Sequence, residues 1–228
     1  MVDNEKMQPF GQRGGEEMKI VDLTHLITEE MNVFPGSNQP ELKKLTTYED
    51  GYVATQLTME SHVGTHMDSP AHVVEGQPWL DQLEAEQFVG KALVVDCSDF
   101  KAGEQVSMKA LEPYAEKISK VDFVLFNMGW AKYWNTPDYL GDFPVISKDV
   151  VEFVANSHLK GIGFDTISVD PIGSLERHNL LLSNKLVVIV ENLTNLDKVG
   201  NDIFTFMALP MKFEKSDGAP VRAIAIVE

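Results

Sequence analysis

From Met18 onward, short apolar runs alternate with polar turns, and the spacing of the apolar positions predicts the elements. Ile20, Val21 and Leu23 make an opening strand that ends at Thr24 and His25. Residues 34–40, with Pro35, Gly36 and Pro40, are turn chemistry. From Tyr52 to Ser61 the chain alternates with period two. Val53, Leu57 and Met59 are therefore expected to face inward, while Gln56, Thr58, Glu60 and His62 share a polar side that delivers His62 to a cavity.

Further along, Pro78 suits the first turn of a helix running to about Phe88. Ala92–Cys97 and Val121–Asn127 are apolar runs expected as buried strands, and Gly161–Asp165 is a brief one. Ser107 is placed to cap a short helix interrupted near Pro113, and Ser147 a helix whose Val150, Val151 and Val154 share a face. Leu186–Glu191, Ile203–Leu209 and Val221–Val227 supply three late strands. Strands and helices are interleaved without repeat or linker, so one α/β domain is expected over residues 18–228, behind a polar N-terminal extension of residues 1–17.

Charge and composition narrow the ligand. The 228 residues carry 19 Lys+Arg against 35 Asp+Glu, a net charge of −16. Such a surface repels phosphates, which argues against nucleic acid or an anionic membrane and leaves a small molecule as the expected partner. Cys97 is the sole cysteine, so neither an internal disulfide nor a cysteine zinc site is available, and a cytoplasmic location is expected. No apolar run approaches the length of about 18 residues that a membrane span requires.

The chemistry concentrates in one window. Three of the six histidines, His62, His66 and His72, fall within eleven residues, together with Asp68. Imidazole and carboxylate are the ligands that zinc and related divalent ions prefer. Donors on one tetrahedral ion lie only about 3.3 Å apart, whereas residues i and i+4 of a straight strand are about 13 Å apart. The chain must bend, and Gly64 is the residue able to do it. A zincin helix is excluded because Val63 stands where its Glu is needed and Pro70 opposes helical continuation. His66 and Asp68 point to one side of an extended chain, and Pro70 redirects the backbone so that His72 looks back. If His62, His66 and Asp68 hold metal, His72 is left over as an acid or base suited to neutral pH. A closed structural metal site, or histidines with ordinary hydrogen bonds, are the competing explanations.

The run from His62 to His72, HVGTHMDSPAH, resembles the HxGTHxDxPxH signature of the cyclase family of metal-dependent hydrolases, which includes bacterial kynurenine formamidases and isatin hydrolases. Asp22 to His25, Phe34 to Gly36, and Gly129 with Trp130 resemble other parts of that family's pattern. The resemblance implies a cyclase-like (swivelling β/β/α) fold with a mixed sheet and flanking helices. It also implies one or two divalent ions, zinc or manganese, on His62, His66 and Asp68, with His72 catalytic. A later His and Glu complete a second metal site in the family, and His178 and Glu191 are the candidates here, with Glu176 in reserve. Asp170, in a stretch resembling the family's DTxSxDP turn, is a candidate to hydrogen-bond a ligand histidine. Phe34, Trp79, Trp130 and Trp134 are candidate walls of an aromatic pocket. The implied activity is hydrolysis of a C–N bond in an aryl formamide or cyclic amide by a homodimer or homotetramer. Asn127, Met128 and Ser37 depart from the pattern common in the formamidases. A non-catalytic metal-binding or ligand-sensing module is the alternative.

Overall fold

Alternation along each strand sorts its side chains between two separate cores. The computed structural model describes residues 18–183 and 187–227, so the expected extension over residues 1–17 lies outside the described residues. The strands are β1 (Lys19–Asp22), β2 (Glu41–Thr46), β3 (Ala54–Thr58), β4 (His66–Asp68), β5 (Val89–Asp96), β6 (Gln105–Val106), β7 (Phe123–Asn127), β8 (Val145–Ile146), β9 (Gly161–Phe164), β10 (Val188–Glu191), β11 (Phe204–Pro210) and β12 (Gly218–Val227). Four short helices, α1 (Met108–Leu111), α2 (Ala115–Ile118), α3 (Lys148–Asn156) and α4 (Glu176–Leu182), complete the regular structure.

The main sheet runs β1-β12-β11-β5-β7-β9-β10-β4, and β4 also pairs with residues 218–220 of β12. Seven strands therefore close on themselves in a barrel-like ring, with β1 attached outside it along β12. β5, β7, β9 and β10 are parallel neighbours, while β4, β11 and β12 pair antiparallel. Ala92 and Val94 of β5, Phe123 and Leu125 of β7, Val188 and Val190 of β10 and Met67 of β4 share one core. Their neighbours Leu93, Val95, Val124, Phe126 and Ile189 pack on the other side against Leu111, Ile118, Val150, Val151, Val154, Leu181 and Leu182 of the four helices. Each fully buried aliphatic or aromatic side chain stabilises the fold by about 1.5–3 kcal/mol, so both cores are substantial. The mixed α/β fold expected from the sequence is the fold found.

Two expectations need correction. Residues 78–88 form no α-helix: Leu80–Gln82 and Ala85–Phe88 are separate 3-10 turns, with Leu83 and Glu84 extended between them. Leu80 and Phe88 both pack into the inner core, and the Leu80 N–H donates to Ser216 O, so tertiary anchors override the local helical preference. The strand expected over Tyr52–Ser61 is shortened to β3, and Val53 and Leu57 face solvent rather than the interior. Among the described residues, β2 and β3 pair only with each other, as a hairpin separate from the main sheet. Its base is tied down where Glu60 Oε1 accepts from Asn38 N–H and Glu29 Oε1 accepts from Leu42 N–H. Among the described residues, no helix is long and apolar enough to cross a membrane.

Gly161 and Gly163 lie where β9 turns its inner side to the ring. A Cβ at Gly161 would stand 2.8 Å from Val188 O and 2.9 Å from the Phe123 ring, and one at Gly163 2.7 Å from Leu193 Cδ1. Gly161→Ala is therefore expected to destabilise the protein by about 1–3 kcal/mol, read as a lowered urea midpoint with unchanged m-value. An unchanged midpoint would mean that the ring is looser than described.

Candidate metal centre

The alternation that sends Met67 and Val190 into the inner core turns His66, Asp68 and Glu191 to the opposite side. In the antiparallel register of β4 and β10, Glu191 stands directly across from His66. All three are at least 96% buried. Gly64, at φ +63°, bends the chain as its position between the histidines requires, and its carbonyl accepts from His66 Nδ1 at 2.9 Å. The bend returns His62 to the cluster, with Nδ1 2.7 Å from Asp68 Oδ1. Pro70–His72 forms a 3-10 turn that brings the His72 ring to 4.0 Å from that of His62.

His178 arrives from α4 over the same side of the sheet. Asp170 accepts the backbone N–H of Arg177 and His178 together with His178 Nδ1–H at 2.9 Å, fixing both the start of the helix and the ring. Although burial raises the Asp170 pKa, these donors bring it down to about 2. With Nδ1 occupied in both His66 and His178, each presents Nε2 to the cluster.

His66 Nε2 lies 3.4 Å from Asp68 Oδ1 and 3.5 Å from Glu191 Oε2, and His178 Nε2 lies 3.5 Å from Asp68 Oδ2 and 3.4 Å from Glu191 Oε1. Two imidazoles and two carboxylates thus alternate around a closed circuit. These separations are long for hydrogen bonds but match the roughly 3.3 Å between neighbouring donors on a tetrahedral ion. Asp68 Oδ2 is buried without a hydrogen-bond partner, which is costly unless a cation sits against it. Donor chemistry, spacing and the orphaned oxygen all fit a divalent ion. Asp68 belongs to two potential three-residue ligand sets, one with His62 and His66 and one with His178 and Glu191.

The electrostatics divide the histidines. Burial opposes charge on His62, yet Asp217 and Asp68 outweigh it and lift its pKa to about 10. Burial likewise opposes charge on His178, and Asp170, Asp68 and Glu191 lift it to about 12. His72 moves the other way: burial, reinforced by the neighbouring His62 and His178, holds its pKa below the usual value. Burial raises the Asp68 carboxyl, but His178, His62 and His66 hold it well below the ordinary range.

Asp217 was not singled out in the sequence. It lies 3.1 Å from His62 Nε2 and 4.0 Å from His72 Nδ1, in a third potential ligand set with those two histidines. The adjacent Gly218 makes room for this approach, since a Cβ there would run into the His62 ring. Asn192, also unanticipated, donates from Nδ2 to Gly64 O and accepts from the Tyr139 hydroxyl, pinning the bend to the β10 terminus.

The cluster forms the floor of a cavity of about 520 Å³ whose apolar walls include Phe34, Val73, Ile167 and Leu175. Trp79 and Trp130 do not line it, which corrects that expectation. Asp165 accepts the N–H groups of Met128, Trp130 and Ala131, and this loop sends the Trp130 ring into the helix-side core with Nε1 donating to Tyr139 O. The Trp79 N–H donates to Gln82 Oε1 at the head of a 3-10 turn, and Trp134 stacks on His25. Glu176 is exposed and pairs with Lys148 outside the cluster. A second cavity, of about 580 Å³, opens beside Asp96, Asn127 and Asp165 and holds no histidine.

A mixed barrel-like sheet with His, Asp and Glu gathered on its outer side defines a class, and comparison with known proteins supplies its family. The family model described as "Putative cyclase" matches residues 21–171, and the chain belongs to that family. Uncharacterized protein MJ0783 of Methanocaldococcus jannaschii is 32% identical, over 92% of this chain and 100% of its own length. The kynurenine formamidase of Bacillus anthracis is 30% identical, over 90% of this chain and 96% of its own. Among solved structures, isatin hydrolase A from Labrenzia aggregata bound to benzyl benzoate superposes with a TM-score of 0.81 at 22% identity, covering 92% of this chain and 94% of that one.

A proton held on His62 or His178 must leave before that nitrogen binds a cation. Because both pKa values are raised above the usual 6.5, ion binding is expected to release protons, and apparent affinity to rise by up to about tenfold per pH unit per displaced proton between pH 7 and 9. Titration calorimetry with zinc in buffers of different ionisation enthalpy measures the release. Affinity independent of pH would show that neither ring gives up a proton on binding.

Proposed function

We propose that the chain is a metal-dependent hydrolase that opens a C–N amide bond, in an aryl formamide such as N-formylkynurenine or in a cyclic amide such as isatin. The observation that carries this reading is Asp68, which joins two donor sets: Oδ1 faces the imidazoles of His62 and His66, and Oδ2 faces His178, whose set is completed by Glu191. His62, His66, Asp68, His178 and Glu191 would hold one or two divalent ions, zinc or manganese. An ion there would act as a Lewis acid toward the substrate carbonyl and lower the pKa of water beside it.

The remaining work falls to the chain's own groups. His72 lines the same cavity, and its Nδ1 stands too far from Asp217 to be held in a hydrogen bond. Its lowered pKa leaves the ring neutral and able to take a proton from the attacking water, then return it to the departing nitrogen. Phe34, Val73, Ile167 and Leu175 offer an apolar wall to an aryl group. No nucleophilic side chain is needed. The kynurenine formamidase relatives and the fold shared with isatin hydrolases support the same reaction class.

We also assign the hairpin to contact with a second copy of the chain, in a homodimer or homotetramer. It presents Leu45, Tyr48, Tyr52, Val53 and Leu57 to solvent, and a two-stranded hairpin alone is marginally stable in water.

His72→Ala is expected to retain metal while losing about 100- to 10,000-fold in kcat on formanilide or isatin. Elemental analysis beside turnover distinguishes the roles: intact turnover refutes the proton-transfer assignment, and loss of metal makes His72 a ligand. Leu57→Asp with Tyr48→Asp is expected to shift light-scattering mass from an oligomer toward one chain. A monomeric parent protein would refute the hairpin contact.

A further inference from the structure

Resting on the hydrolase reading, we propose that Glu60 forms a cation-binding subsite at the cavity wall, so that the preferred amide carries an ammonium group at the end remote from the scissile bond. Glu60 lies two residues before His62 and lines the same cavity, yet it belongs to none of the potential ligand sets. Its carboxylate is held in place rather than left to swing. The Asn38 N–H and Nδ2–H both donate to Oε1, at 2.8 and 2.7 Å, and Ser37 adds another hydrogen bond. A carboxylate offers about four acceptor positions, so these donors orient it without saturating it.

The rest of the lining sharpens the selection. None of the residues lining the cavity is Lys or Arg; the cation that faces Glu60 is His62, and that ring gives up its proton when its nitrogen takes an ion, leaving Glu60 without a side-chain cation of its own in the loaded protein. Phe34 shares the wall, and an aromatic face also favours a cation. A substrate whose reacting carbonyl sits over the metal centre would have its far end in reach of a fixed negative charge beside an apolar surface. An ammonium is attracted there, a neutral group is indifferent, and a carboxylate is repelled.

The competing explanation is that Glu60 only braces the turn at residues 34–38. Bracing would affect all substrates alike, whereas charge recognition changes the ratio between them. The test is kcat/KM of the metal-loaded protein for formanilides bearing a meta-aminomethyl, meta-hydroxymethyl or meta-carboxylate group. The aminomethyl compound is expected to exceed the hydroxymethyl compound by about fivefold, the carboxylate to fall below it, and the preference to shrink with added salt. In Glu60→Gln, which keeps an oxygen for Asn38, the aminomethyl to hydroxymethyl ratio is expected to fall toward one. A ratio of one in the parent protein, or an unchanged ratio in Glu60→Gln, overturns the subsite. Hydrolysis of none of the three, nor of isatin, defeats the hydrolase reading instead, and calorimetric binding of 3-(aminomethyl)aniline against 3-(hydroxymethyl)aniline then decides the subsite. Binding about fivefold tighter for the ammonium, lost in Glu60→Gln, supports it; equal binding overturns it.

Discussion

A carboxylate sealed from water is the constraint on which the functional end of this molecule rests. Asp68 is 1% exposed, and burial on that scale disfavours its charge unless opposite charge is supplied within a few ångströms. His62, His66 and His178 surround it, each delivered by a different device: a glycine bend, a strand and a helix. Asp170 and Glu191 then compensate the histidines in their turn. The resulting network leaves Asp68 Oδ2 without a hydrogen-bond partner, a deficit that a divalent cation seated among these donors would meet.

Much of this was legible because it is local. His62, Gly64, His66, Asp68, Pro70 and His72 lie within eleven residues, and the period-two rule places His66 and Asp68 on one side while Met67 goes to the other. The bend at Gly64 follows from the impossibility of joining i and i+4 donors along a straight strand. The parallel strands were also visible, as unbroken apolar runs bounded by polar ends. The resemblance, rather than any spacing, pointed to His178 and Glu191.

What escaped the sequence depends on partners far along the chain. Asp217 meets His62 across 155 positions, and an Asp-Gly pair looks like an ordinary turn until the ring packed against that glycine is seen. Trp130 resembles a pocket wall until Asp165, 35 residues later, gathers the loop's amides and turns the indole into the core. The stretch from Pro78 to Phe88 has helical composition, but its apolar anchors are claimed one at a time by the barrel. Leu57 fits an inward position by periodicity and instead faces outward, because among the described residues its strand pairs with β2 alone and packs on no second layer.

The bond between Asn38 and Glu60 fastens together the two ends of the hairpin at the cavity rim. Asn38 and Glu60 thereby bracket the stretch between them, and the Leu42 N–H bond to Glu29 ties its first strand back to the chain before it. The side chains gathered around Asp68 all lie outside that stretch, so a change of length within it leaves them in register.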